Sequence, residues 1–250
     1  MLDYTHAYFV LPASLLIVWL KRRHLREIAS QTKQKNLTTL SANLSLLSIF
    51  LGLFLFVFGW RHDYIFISSF SLMPLLAGIT GYLWGPKMLR AVIFPLGYLG
   101  FIIPPPVGIL DTITLPMRKI ASVGAVMVLQ SFHFPIYAQG LLIYINQHEI
   151  YIAPACSGFR SLITFMALSV LYVYFLKTSS TKKWVLLLSV IPLSLLGNLV
   201  RVIMLCLITY ALGDAMGQGF LHELSGILVF VVIIFGFMLI DKYYPTPGEE

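Results

Sequence analysis

Residues 184–210 read WVLLLSVIPLSLLGNLVRVIMLCLITY, and this stretch decides the fold. It is long enough to cross the hydrocarbon core of a bilayer as a helix, and its one charged residue is Arg201. An arginine inside a spanning segment costs at least about 2.5–3.5 kcal/mol on insertion scales, so it indicates function by default. The alternative is a structural arginine that reaches out to lipid headgroups. The stretch therefore predicts a transmembrane helix in which Arg201 is expected to have a functional role.

The whole chain has the composition of a polytopic membrane protein. Its 250 residues are 58% hydrophobic and 11% charged, whereas globular chains are about 45–50% apolar and about 25% charged. Seven apolar runs are candidate spans, and an eighth short helix is expected around residues 120–131. The runs are 6–20, 40–60, 64–84, 88–103, 157–176, 184–210 and 224–240. We predict an all-α polytopic membrane protein with about seven to eight transmembrane helices, in which residues 1–250 form a single membrane-embedded domain.

The basic residues predict the orientation, because Lys and Arg collect on the cytoplasmic side of membrane proteins. With the N-terminus outside, the inside loops hold 12 of the 17 basic residues. These 12 are Lys21, Arg22, Arg23, Arg26, Lys33, Lys35, Lys87, Arg90, Lys177, Lys182, Lys183 and Lys242. Topology thereby accounts for the net charge of +7, so no nucleic-acid partner is expected. We predict a multi-pass protein of the cytoplasmic membrane with its C-terminus in the cytoplasm.

One long stretch, residues 104–155, is predicted to lie outside the membrane between two spans. It opens with three consecutive prolines at 104–106, which stop a helix. Residues 111–132 are expected to form a helix that lies at or dips into the interface. Residues 140–153 are expected to form a β-hairpin around residues 146–148. The edge of such a hairpin must be solvated or covered by protein, since lipid cannot satisfy it.

Cys156 begins the first of three polar features that stand out against this apolar background. It lies at the entry to the fifth span beside Ser157, Gly158 and Arg160. A cysteine at a helix N-terminus near a cation has its thiolate favoured. The alternative is a buried cysteine that serves as a small hydrophobe, and this is our interpretation of Cys206, which lies in the apolar run 202–208.

Asn198, Arg201 and His222 supply the other two features. Asn198 and Arg201 are spaced i, i+3 and share a face of the sixth span. Arg201 lies roughly 25 Å along that helix, toward the outer leaflet and level with Cys156. Cys206 is roughly 140° around the helix from Arg201, which disfavours a disulfide with Cys156. His222 ends a glycine-rich outer loop, although a single histidine is more often a surface or satisfied residue than a catalytic one.

Together these features place a thiol, a guanidinium and an imidazole on one side of the membrane, and this combination points to thiol acyl transfer. His222 would accept the thiol proton, Cys156 would attack a carbonyl, and Arg201 would stabilise the oxyanion or orient the substrate. Arg201 could instead hold the thiolate as an ion pair while His222 serves the leaving group. For Arg160 a substrate clamp and a partner for lipid phosphate both stay open.

The chain resembles the exosortase/archaeosortase family of membrane transpeptidases, in its bacterial branch. The resembling motifs are FPLGYLGFIIPPP at 94–106, ACSGFRSL at 155–162, NLVR at 198–201 and the histidine at 222. The resemblance implies that Cys156, Arg201 and His222 are catalytic, and Asn198, Arg160 and Ser157 are predicted to support them or to bind substrate. No metal or cofactor is expected.

The resemblance also implies the substrates and the partners. They are exported proteins whose C-terminal signal combines a motif such as Pro-Glu-Pro, a hydrophobic span and a basic tail. Cleavage would occur on the outer face of the membrane, and the protein would pass to a surface, exopolysaccharide or lipid acceptor. Two alternatives stay open: a non-catalytic membrane component of exopolysaccharide export, and a small-solute transporter with Asn198 and Arg201 lining a polar pathway. Against the transporter, no paired half-helices recur in repeated positions.

Overall fold

The computed structural model describes residues 7–32, 39–213 and 220–244, and most of them are helical. The chain divides into two compact units, Met1–Val107 and Gly108–Glu250. In the first unit the elements are α1 Ala7–Leu20, α2 Arg22–Thr32, α3 Thr39–Arg61, α4 Ile65–Phe70, α5 Leu72–Tyr98 and a 3₁₀ helix, Leu99–Ile102. The second unit contains α6 Val107–Ser131, β1 Ile136–Gln139, β2 Leu142–Ile145, β3 His148–Tyr151, a 3₁₀ helix Pro154–Cys156, α7 Phe159–Phe175, α8 Ser180–Leu212 and α9 Phe220–Tyr243.

Several of these helices are able to cross a membrane. Within the described part of the chain, five stretches are long and apolar enough, and two further apolar helices are shorter. The five are Thr39–Arg61, Ile65–Ile102, Leu110–Ser131, Ser180–Leu212 and Gly226–Tyr243, and the shorter two are Ala7–Leu20 and Phe159–Phe175. The prediction of an all-α polytopic membrane protein is confirmed. The predicted orientation and the single domain over 1–250 stay predictions.

The third and fourth predicted spans are joined through a break at Gly85. The backbone of Gly85 has φ 79° and ψ 174°, so α5 is interrupted there, and Pro86 follows. Glycine adopts a positive φ at no steric cost, and proline removes an N–H that the helix would need. The two predicted segments are therefore two helical pieces with a sharp bend between them.

Glycines bring α3 and α5 together in the first unit. A Cβ atom added at Gly52 would lie 2.8 Å from the backbone nitrogen of Leu75, and one added at Gly78 would lie 2.8 Å from the carbonyl oxygen of Ser45. Small residues permit this approach of two backbones, and such packing is a main source of helix association where lipid replaces water. Because Gly52 contacts Leu75 and Ser45 contacts Gly78, the two helices run antiparallel.

Lys21, at the end of α1, compensates for a proline in α5. Pro95 has no N–H, so the carbonyl of Ala91, four residues earlier, lacks its usual donor within the helix. The ammonium of Lys21 donates to this carbonyl at 3.1 Å, and the hydroxyl of Ser14 donates to the carbonyl of Pro95 at 2.9 Å. The first helix is thus bound to α5 by polar contacts that the apolar pattern does not reveal.

The predicted hairpin is part of a three-stranded antiparallel sheet in the order β1-β2-β3. The two-residue connection at 146–147 joins β2 to β3, with Ile145 opposite His148, which confirms the hairpin. The first strand was not predicted, because its four residues follow Pro135 without a clear alternation. Its carbonyl at Ile136 accepts a hydrogen bond from the amide of Gln130 at 2.9 Å, so a side chain covers part of this edge strand, as lipid could not.

One face of the sheet packs on helices α6 and α8. Its isoleucines are buried together with residues of these two helices in one apolar cluster, to which Cys156 also belongs. The cluster includes Ile136, Ile143, Ile145, Ile150 and Ile152 of the sheet region, Ala121, Ala125 and Leu129 of α6, and Val202, Leu205 and Cys206 of α8. The helix expected over 111–132 is therefore α6, whose buried face belongs to this core and which is also long enough to span.

Contacts between the helices of the second unit show their relative directions. Gly124 of α6 faces Leu199 of α8, and the ring of Phe134, just beyond α6, lies 5.3 Å from that of Tyr210, so α6 and α8 run in the same direction. Gly197 of α8 faces Val229 of α9, and Gly236 faces Leu193, so α9 runs the opposite way. The start of α7, the C-terminal half of α8 and the start of α9 thus lie toward one end of the unit, beside the sheet, which we call the sheet end.

Gly52→Ala tests the close packing of α3 on α5. We expect this variant to be less stable by about 1–3 kcal/mol, because the new methyl group overlaps the backbone at Leu75. Gly97→Ala in α5 is the matched control: nothing lies within 4 Å of a Cβ there, and the helix propensity of alanine favours it by about 1 kcal/mol. Thermal unfolding in detergent measures both variants. Equal stability of Gly52→Ala and the wild type would contradict this packing.

Candidate functional site

Cys156 ends a short 3₁₀ turn that leads from the sheet into α7. The turn is closed by hydrogen bonds from the backbone N–H of Cys156 to the carbonyl of Ala153 at 2.8 Å and from that of Ser157 to the carbonyl of Pro154 at 3.2 Å. The hydroxyl of Ser157 accepts from the N–H of Phe159 at 3.2 Å and so satisfies one of the free donors at the start of α7. The buried Ser157 therefore has a local structural task, and its predicted supporting role would be exerted through this turn.

A hydrogen bond from Asn198 attaches this turn to α8. The side-chain amide nitrogen of Asn198 donates to the carbonyl of Cys156 at 2.9 Å, and both residues are at most 2% exposed. Hydrogen bonds between buried groups are costly to break because each partner is left unsatisfied. This contact places Cys156 beside α8 at the level of Asn198, and therefore next to the helical turn that carries Arg201.

Gly158 makes the contact between the turn and α8 possible. Its φ is +76°, which lies in the left-handed region of backbone conformation that residues other than glycine rarely adopt. A Cβ atom at this position would lie 2.8 Å from the Cβ of Asn198. The position thus excludes a side chain for two independent reasons. No role for Gly158 was predicted from the sequence, because a positive φ is usual for a glycine that follows a helix and not for one that precedes it.

Burial dominates the electrostatics of Cys156. The thiol is 2% exposed, and this desolvation raises its pKa above the ordinary value, while the Arg201 guanidinium and a backbone hydrogen bond at Ala153 lower it to a smaller extent. The expectation that the thiolate is favoured was therefore wrong in its net direction. Arg201 acts as predicted, but the loss of hydration around the sulfur outweighs it.

Arg160 and Cys206 lie in different settings. The side chain of Arg160 is exposed, although its backbone carbonyl accepts a hydrogen bond from Thr164 at 2.9 Å. Cys206 is fully buried, unlinked by a disulfide, and a member of the same apolar cluster as Cys156. Its interpretation as a structural residue fits this burial. The predicted absence of a disulfide between the two cysteines agrees with both being free thiols.

His222 is the third residue of α9, Phe220–Tyr243, and its side chain lies outside the part of the chain that the structure describes. The backbone of α9 begins at the sheet end, where Cys156 and Arg201 also lie. The structure thus brings Cys156, Asn198 and Arg201 together, whereas the side chain of Arg160 is exposed. The helix that carries His222 begins at the same end of the unit. The catalytic roles of these residues stay predictions.

Metal ligands do not cluster in the described residues. Among them, no group of three or more His, Cys, Asp or Glu side chains could hold a metal ion. The groups that do meet are a thiol, an amide and a guanidinium. Their chemistry is that of a nucleophile with a cation and hydrogen-bonding groups around it.

Gly158→Ala tests the contact between the turn and α8. The variant combines a left-handed backbone, which costs a residue with a Cβ about 1–2 kcal/mol, with a steric overlap at Asn198. Gly140→Ala is the matched control, since Gly140 has a φ of +67° but nothing within 4 Å of its Cβ. Thermal unfolding should show the larger loss for Gly158→Ala. Equal losses for the two variants would mean that contact with Asn198 contributes nothing.

The pH dependence of Cys156 alkylation tests the electrostatic role of Arg201. Burial raises the pKa of the Cys156 thiol and Arg201 lowers it, so Arg201→Gln should raise this pKa further. In a Cys206→Ala background, the alkylation rate of Cys156 should then rise at a higher pH in Arg201→Gln than in the parent. Arg160→Gln removes the same charge from an exposed position and should leave the profile unchanged. A profile that moves with Arg160 and not with Arg201 would refute the assignment.

Comparison with known proteins gives one match. The family model of the transmembrane exosortases matches residues 1–239, which include every element of the site described above. No curated protein matches the chain, and no solved structure does so either.

Proposed function

The chain belongs to the transmembrane exosortase family, and on this basis we propose that it is a membrane cysteine transpeptidase or protease. Its substrates would be exported proteins with a C-terminal sorting signal, cleaved at the outer face of the cytoplasmic membrane. The observation that carries the proposal is the position of Cys156, whose carbonyl is bound by Asn198 and whose sulfur is within the electrostatic reach of Arg201. A purely structural cysteine needs neither a cation nor a fixed backbone.

The proposed reaction begins with the neutral thiol, because burial raises the pKa of Cys156. His222 takes the proton as the sulfur attacks the scissile carbonyl, so an S–C bond forms and the carbonyl oxygen becomes an oxyanion. Arg201 stabilises the negative charge that develops on the sulfur as the proton leaves or on this oxygen after the attack. The C–N bond then breaks, and the imidazolium returns its proton to the leaving amine.

The product of this step is a thioester between Cys156 and the exported protein. Attack by a hydroxyl or an amine of an acceptor would transfer the exported protein, and attack by water would give hydrolysis. In both cases the incoming nucleophile loses a proton and the thiol of Cys156 regains one, so the enzyme is restored. A surface polysaccharide or a lipid is the acceptor class that we propose.

Asn198 has a positioning role in this scheme. Its amide nitrogen donates to the carbonyl of Cys156, which turns its Oδ1 atom away from that carbonyl. This Oδ1 atom is buried and accepts no hydrogen bond from another described residue. A buried acceptor without a partner costs about 1–3 kcal/mol, so the proposed task of Asn198 is to hold the Cys156 carbonyl in place at this cost in stability.

Removal of the nucleophile tests the proposed function. Cys156→Ala should reduce processing of a co-expressed protein with a C-terminal sorting signal by about 10³-fold or more, as expected when a covalent nucleophile is lost. Cys206→Ala removes the other thiol and should process the substrate at close to the wild-type rate. Immunoblots of the precursor and the product measure processing, and membrane fractionation verifies insertion. Normal processing by an inserted Cys156→Ala variant would overturn the proposal.

A further inference from the structure

An apolar groove lies between α7 and α9, away from the candidate catalytic residues. Its volume is about 680 Å³. Its walls are largely hydrophobic, and polar residues lie at one end. The wall residues include Phe165, Leu168, Ile234, Phe235 and Met238, and the polar end includes Tyr172, Asp241 and Lys242. None of the residues assigned above to thiol chemistry belongs to it.

The groove lies toward the end of the second unit that is opposite the sheet end. Helix α7 starts at Phe159, beside Cys156, and its groove residues lie 6 to 13 positions further on, which is about 9–20 Å along the helix axis. The groove residues of α9 are in its C-terminal half, and α9 starts at the sheet end. The polar end of the groove is therefore next to the short connection between α7 and α8.

Among the described residues, positive charge is in excess at this polar end. Through one oxygen, the carboxylate of Asp241 forms an ion pair with the ammonium of Lys182 at 3.2 Å. Its other oxygen accepts a hydrogen bond from the hydroxyl of Tyr172. Asp241 is thus already engaged. Lys242 has no ion pair among the described residues, and its ammonium lies 5.5 Å from the ring of Tyr243.

The surrounding sequence increases this excess. Lys177 and Lys183 lie in or beside the connection between α7 and α8, so the described residues at this end include four lysines and one aspartate. The orientation predicted from the basic residues places it in the cytoplasmic leaflet, whose anionic lipids attract basic side chains by about 1 kcal/mol for each Lys or Arg.

We propose that this groove is a binding site for an anionic phospholipid. The acyl chains would lie against the apolar walls, where Met238 and Phe235 are each 64% exposed, and the phosphate would lie beside Lys242. An apolar groove with a lysine at one end that forms no ion pair with another described residue matches an amphiphile with an anionic head. This site is independent of the thiol chemistry and does not rest on the proposed function.

Charge favours a lipid over a transmembrane helix as the occupant of the groove. The groove residues of α9 extend over nine positions, from Ile234 to Lys242, which is about 12 Å along the axis. Acyl chains can follow an apolar groove of this length while an anionic head group meets Lys242, whereas an apolar helix offers no anionic group at that end.

Lipid retention tests the proposal on the full chain in nanodiscs. The probes are phosphatidylglycerol and phosphatidylcholine with identical acyl chains, and native mass spectrometry counts the lipids that stay bound. We expect a preference for phosphatidylglycerol that Lys242→Gln lowers by about 5-fold, which corresponds to roughly 1 kcal/mol. Lys87→Gln is the charge-matched control, because it removes an exposed lysine of the other unit and should leave the preference unchanged.

A second variant tests the apolar part of the site. Met238→Trp enlarges an exposed side chain that lines the groove, so it should reduce phosphatidylglycerol retention while thermal unfolding remains that of the wild type. Equal retention of the two lipids, or equal effects of Lys242→Gln and Lys87→Gln, would overturn the proposal. So would displacement of the lipid by inorganic phosphate alone at millimolar concentration, or by a hydrophobic helical peptide that takes its place.

Discussion

The hydrogen bond from Asn198 to the carbonyl of Cys156 is the interaction on which the candidate site depends. It joins the turn that follows the sheet to the middle of α8, two segments separated by 42 residues. The absence of a side chain at Gly158 lets the two backbones approach, and the capping hydroxyl of Ser157 directs the chain into α7. The bond adds a directional contact to the apolar packing around Cys156, which by itself has no preferred direction.

The same burial that orders the site makes its thiol a weaker acid. Desolvation raises the pKa of Cys156, and Arg201 opposes this shift without overcoming it. In the proposed mechanism, Cys156 of the resting enzyme is therefore a neutral thiol, and a base must remove its proton at the moment of attack. This arrangement gives Arg201 and a histidine separate tasks, since a guanidinium stabilises an anion and an imidazole moves a proton.

The second unit has the candidate site at one end and the apolar groove toward the other. At the sheet end, three short strands cover Cys156 with a layer of isoleucines, and Gln130 and the strand ladder satisfy backbone groups of these strands. At the opposite end, an apolar groove has Lys242 at its polar end. The long helices α8 and α9, packed through Gly197 and Gly236, hold these ends apart.

The sequence by itself determined the membrane class and the helices, because each helix in lipid must satisfy its own backbone and so appears as a long apolar run. The run 40–60 is α3, Thr39–Arg61, and the run 184–210 lies within α8, Ser180–Leu212. The order of short motifs along the chain likewise identified the family, because each motif is a local stretch of sequence. Only the tertiary structure decided that Gly158 must lack a side chain, that a third strand joins the hairpin, and that burial raises the pKa of Cys156. These features arise between residues far apart in the chain, and the local pattern of apolar and polar residues does not encode such contacts.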